Sequence, residues 1–95
     1  MLSGSCLCGK VKYGISGTVG DIVHCHCKTC RKAHGSAFSS VAAVSNVDFK
    51  LLCTENLGCF ESSPGKNRYF CSNFGTHIYT RREWADHVVL SLIPI

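Results

Sequence analysis

Three cysteines fall within six residues, Cys25-His26-Cys27-Lys28-Thr29-Cys30, and this run constrains the chain more than any other feature. Two further clusters flank it. Cys6-Leu7-Cys8-Gly9 lies near the start. Cys71-Ser72-Asn73-Phe74-Gly75 has the shape of a C-x-x-C-G knuckle with Phe in the second cysteine's place. Cys53 and Cys59 stand alone and read as buried thiols. Eight cysteines among 95 residues is about 8%, near the level at which cysteine chemistry dominates a small fold. The stretch from Met1 to Cys6 has no basic region followed by an apolar run, so a reducing, cytoplasmic setting is expected. In such a setting thiols are metal ligands or catalytic groups more often than disulfide halves.

Ninety-five residues allow one small domain and no second core. Charged residues make up 17% of the chain and hydrophobic residues 45%, which argues against disorder. No stretch approaches the roughly 18 consecutive apolar residues of a membrane span. Val11, Tyr13 and Ile15 alternate with Lys10, Lys12 and Gly14, the pattern of a half-buried strand. Short strands are also expected at 22–24, 38–44, 49–52, 57–61, 68–70, 75–79 and 88–93. Arg31 to His34 reads as a single helical turn ended by Gly35 in a left-handed conformation. Pro64-Gly65 predicts a type II turn. Many short strands with little helical periodicity predict an all-β fold of short antiparallel sheets, stapled through its cysteines.

Zinc takes four ligands in a tetrahedron, and a tight C-x-x-C turn aims two thiolates at one ion. Cys25, Cys27 and Cys30 supply three, leaving a fourth position for water or substrate, as in a catalytic site. A remote fourth ligand would make the same cluster structural, and spacing alone favours neither. His26 lies between two of these ligands and is expected to point away from them. His24 reads as a strand residue, His34 as a surface or capping residue, and Trp84 as core or edge cover. His77 and His87 receive no role.

Four segments together resemble the glutathione-dependent formaldehyde-activating enzymes and their relatives, including the centromere-protein-V-like proteins. They are Gly4–Val11, Cys25–Lys32, Gly35–Phe38 and Ser62–Cys71 followed by Gly75-Thr76. The resemblance implies a tent-like fold of small antiparallel sheets with one or two Zn2+ ions per chain over residues 1–95. It implies a structural zinc on Cys6, Cys8 and Cys71, and a catalytic-type zinc on Cys25, Cys27 and Cys30. It further implies addition of the glutathione thiol to formaldehyde, with the reverse direction a carbon–sulfur lyase step. Phe74 departs from the family pattern, because a fourth structural cysteine is expected there. Cys53, Cys59, His77 or water are the alternatives for that position. Family members usually run beyond the position of Ile95, and the shorter chain predicts an exposed edge strand through which two copies pair.

The expected partners are therefore a small-molecule thiol and an aldehyde. Glutathione carries two carboxylates, and Lys28, Arg31 and Lys32 beside the three-cysteine run are placed to pair with them. Arg68 is a weaker choice. The competing reading is a non-catalytic zinc module that contacts protein or nucleic acid. A net charge of +4 permits it, but ten basic residues spread along the chain do not form the basic stripe of a nucleic-acid binder. A redox role for Cys25, Cys27 and Cys30 ranks below both.

Overall fold

The computed structural model describes residues 2–95. Nine strands and one short helix follow in the order β1 (Leu2–Ser5), β2 (Val11–Ile15), β3 (Val23–Cys25), α1 (Lys28–His34), β4 (Ser39–Ser45), β5 (Phe49–Thr54), β6 (Leu57–Ser63), β7 (Lys66–Cys71), β8 (His77–Arg82) and β9 (His87–Ser91). They form a three-stranded sheet ordered β1-β2-β5 and a six-stranded sheet ordered β3-β4-β9-β8-β7-β6. All pairings within them are antiparallel. The expected all-β class is borne out.

Local chemistry accounts for the turns. Pro64-Gly65 joins β6 to β7, with Gly65 at φ 75°. A Cβ on Gly65 would come within 2.5 Å of the Trp84 ring, so the indole lies over this turn. Trp84 is nonetheless 72% exposed. Of the two places expected for Trp84, core or edge cover, it takes the second, because its backbone sits in the turn between β8 and β9, beyond the end of the sheet. The helix is also longer than the single turn expected. Cys27 caps its N-terminus, its sulfur accepting the Cys30 N–H at 3.3 Å. Gly35, at φ 65°, ends it by donating its N–H to the Arg31 carbonyl. A side chain that serves both as helix cap and as metal-type thiol hides the start of a helix from periodicity.

The six-stranded sheet has two unlike faces, set by the two-residue period of each strand. Ala42 and Val44 of β4, Val88 and Leu90 of β9, and Tyr79 of β8 are opposed in register and buried on one face. Val44, Val88, Leu90 and Tyr79 join Val11, Tyr13 and Ile15 of β2 in the core cluster, with Phe49 of β5 packed against it. The Tyr13–Phe49 and Phe49–Tyr79 rings lie 5.5 and 4.8 Å apart between centroids and link the two sheets. The other face carries Val41, Val89, Thr80, Arg68, Lys66 and Arg82. Residues of this set that pair across strands do so directly: Val89 with Thr80, Thr80 with Arg68, and Arg82 with Lys66.

Leu90→Ala removes a fully buried side chain from the inter-sheet contact and is expected to cost about 2–5 kcal/mol. Val47→Ala, at a residue 88% exposed, is expected to change stability by less than about 0.5 kcal/mol. Urea unfolding of both variants checks the contrast.

Candidate metal centres and the adjoining cavity

The first cysteine cluster lies where the two sheets meet. The turn from Cys6 to Gly9 links β1 to β2, with the Gly9 N–H returning to the Cys6 carbonyl at 3.1 Å. Cys71 ends β7. Its sulfur lies 3.5 Å from that of Cys8, which is 3.0 Å from that of Cys6. Cys6 and Cys71 are buried. The knuckle turn persists without its second cysteine. The Phe74 N–H donates to the Cys71 sulfur at 3.4 Å, Gly75 adopts φ 77°, and its N–H returns to the Cys71 carbonyl at 2.6 Å. Three convergent sulfurs stabilised by backbone N–H groups fit a soft divalent ion.

Charge follows from these contacts. Burial opposes ionisation of Cys6, but hydrogen bonds with Cys8, Val11, Cys71 and Lys10 outweigh it and lower its pKa to about 6. Cys71 moves the other way, with burial the main cause.

None of the residues considered for the fourth position joins this cluster. Among the described residues, the group whose ligand atoms converge is Cys6, Cys8 and Cys71 alone. Cys53 is half-buried and donates its S–H to the Lys10 carbonyl at 3.1 Å. Cys59 is exposed on β6, which corrects the expectation of a buried thiol. The His77 ring packs at a tilt against His34, 4.2 Å between centroids, on the side of the second cluster. Phe74 itself is 54% exposed.

The second cluster is built differently. Cys25 comes from the edge strand β3, Cys27 caps α1, and Cys30 lies in its first turn. Their sulfurs lie within 4.8 Å of one another. Cys27 is exposed. Its thiol is lowered to about 7, first by the Cys30 backbone N–H, then by the Cys30 and Cys25 thiols. Cys30 is raised by burial and by the two neighbouring thiols, while Arg68 pulls it down. The Arg68 guanidinium donates to the Cys30 sulfur at 3.9 Å and to Ser62 Oγ at 3.1 Å. Arg68, the weaker choice from the sequence, is only 6% exposed and is placed by β7 against this cluster. The available sequence signal was its two-residue offset from Lys66 on one strand.

This cluster opens on a cavity of about 220 Å³ over the outer face of the six-stranded sheet. Val23, Val41 and Val89 form its apolar floor, and Cys30 and His34 form its helical wall. Lys66, Arg68 and Arg82 supply cations along the opposite side. Lys28 and Lys32 lie outside it, in a neighbouring groove with Phe60 and Ser62, and Arg68 lines both spaces. Arg31 lies with Lys28 and Lys32 on the outer helix surface. His34 is half-buried in the last turn of α1, which fits the capping role expected better than the surface one. Its Nδ1 lies 3.2 Å from the Cys30 carbonyl, a contact that requires Nδ1–H as donor. His77, buried, is brought to a pKa of about 3 by burial first, then by His34 and Arg68.

The chain was compared with known proteins. The family profile described as glutathione-dependent formaldehyde-activating enzyme matches residues 1–93. Two relatives, from Aspergillus flavus and Aspergillus oryzae, provisionally carry that same name. Each is 33% identical over 85 residues, covering 86% of this chain and 44% of theirs. An uncharacterized lyase of Schizosaccharomyces pombe is 32% identical over 76 residues, covering 80% of this chain and 54% of that one. The chain thus spans about half the length of these relatives. A crystal structure of a Rhodobacter sphaeroides protein superimposes with a TM-score of 0.83, covering 99% of this chain and 87% of that one at 22% identity. That likeness establishes the fold. Among the described residues no helix is long and apolar enough to cross a membrane.

Two predictions follow from the geometry. Phe74→Cys adds a fourth sulfur at the knuckle and is expected to tighten zinc at the first cluster by at least about tenfold, read by competition with a chromophoric chelator. His77 is neutral when folded, and its pKa lies below the ordinary 6.5. As pH falls below 6.5 the unfolded chain takes up a proton that the folded chain refuses. Stability is lost progressively towards pH 3, by about 2 kcal/mol between pH 7 and pH 5. His77→Asn is expected to remove that share of the pH dependence of unfolding. Parallel pH profiles for the two proteins would contradict it.

Proposed function

Because the chain belongs to the glutathione-dependent formaldehyde-activating enzyme family, we propose that it is a zinc-dependent carbon–sulfur lyase of the S-(hydroxymethyl)glutathione synthase type. In the forward direction the glutathione sulfur forms a bond to the formaldehyde carbon. The carbonyl becomes a hydroxyl, and the thiol proton ends on that oxygen. In the reverse direction the carbon–sulfur bond breaks. Residues 1–95 act as one zinc-binding unit, and its eight free thiols suit a reducing, cytoplasmic setting.

The observation that carries this reading is the contrast between the clusters. Cys6 and Cys71 are sealed inside the protein, as a structural site requires. Cys25 and Cys30 line a cavity with an apolar floor and a cationic side, and Cys27 beside them is exposed to solvent. A zinc ion on Cys25, Cys27 and Cys30 would supply Lewis acidity at an open ligand position. The chain's own residues do the rest. Arg68 partly offsets the burial that raises the Cys30 thiol and fixes where that sulfur points. Lys28, Arg31 and Lys32 attract the anionic thiol to the helix side and engage a carboxylate there. The valine floor gives the reacting atoms an apolar surface on one side. Positioning of thiol and aldehyde together accounts for much of the acceleration.

The test is exchange NMR of glutathione and formaldehyde with zinc-loaded protein. Acceleration above background is expected, lost in Cys27→Ser and retained in Cys59→Ser. Zinc-loaded, folded protein with no acceleration would favour the non-catalytic binding module.

A further inference from the structure

Lys66 and Arg82 are directly opposed on β7 and β8 and line the same cavity as Arg68. Like charges directly opposed across an antiparallel pair destabilise a sheet. Among the described residues no carboxylate pairs with either, and only the Cys30 and Cys27 thiols act in the opposite sense on Lys66. Among the described residues the ion pairs are Lys10–Glu55 and His87–Asp86. The nearby Glu61 carboxylate accepts the Gly65 N–H, and Glu83 is exposed in the turn after β8. Burial, then Arg68 and Arg82, hold the Lys66 ammonium below its ordinary pKa. A folded chain that keeps such a pair beside a cavity has a binding surface for an anion.

The position of the pair gives the anion's chemistry. Arg68 touches Cys30 and lines both the cavity and the helix-side groove. The helix cations Lys28 and Lys32 therefore lie on one side of the Cys30–Arg68 contact, and Lys66 and Arg82 on the other. A thiol with a carboxylate on each of two arms matches this layout. We infer that Lys66 and Arg82 form a second carboxylate station, which holds the arm of the thiol substrate opposite to the arm held by the helix cations. The inference rests on the glutathione reading above and deepens it: the site selects thiols that are anionic at both ends. Lys66 and Arg82 are positioning residues and touch no reacting atom.

The experiment measures binding of S-methylglutathione and of its glycyl ethyl ester to zinc-loaded protein by calorimetry. The ester removes one carboxylate and leaves the rest of the ligand. Lys66→Gln and Arg82→Gln are each expected to weaken S-methylglutathione about tenfold. The penalty for esterification is expected to vanish in the variants of one station and persist in those of the other (Lys28→Gln with Lys32→Gln). Thermal stability of the strand variants is expected to hold or rise, since a repulsion is removed. The station is overturned if the strand variants bind S-methylglutathione as wild type does, or if the ester penalty is the same in both sets. If those variants are indifferent while exchange NMR shows glutathione turnover, only the station fails. If wild type binds no S-methylglutathione and turns over no glutathione, the station and the glutathione reading fail together.

Discussion

The pleat of the six-stranded sheet is the constraint on which the rest of the structure depends. Side chains alternate between faces with a period of two, so each strand that contributes to the core also contributes to the site. Leu90 and Val88 seal the inter-sheet contact while Val89 between them floors the cavity. Tyr79 packs between the sheets while Thr80 faces Arg68. A one-residue slip of β8 would send Arg82 and Thr80 into the core and Tyr79 into the cavity. The register that makes the protein stable is thus the register that makes the cavity cationic.

Electrostatics then separates two cysteine clusters of similar composition. At the first, sulfurs are enclosed, and charge is stabilised by local hydrogen bonds. At the second, an exposed helix-capping thiol sits beside a half-buried one that faces a guanidinium. The second cluster also has the cavity cations beside it, which could hold an anionic ligand. Solvent access and nearby cations, more than ligand identity, set what each cluster can do.

Elements built from near neighbours in sequence were legible. The strand Val11–Ile15, the Pro64-Gly65 turn, the Gly35 cap and the grouping of Cys25, Cys27 and Cys30 all follow from local spacing. What escaped depends on pairing between distant strands. Arg68 gains its importance because β7 lies where its guanidinium reaches Cys30, 38 residues away in sequence. His34 and His77 meet only once α1 is laid over the sheet. Trp84 is the informative case. The sequence left it between core and edge cover, and its partner proves to be the flat surface of a glycine turn, a contact that leaves most of an indole in water.

The first cluster joins parts of the chain that are far apart. Cys8 and Cys71 are separated by 63 positions, and their sulfurs converge only after both sheets have formed around β2 and β7. Loop-closure entropy makes this one of the latest contacts the chain can make. An ion bound there would therefore act after the transition state. It would slow the escape of the folded chain and leave the rate of its formation nearly unchanged. The enclosed cysteines would then act as a latch on lifetime, leaving the β-sheets to set how fast the protein is made.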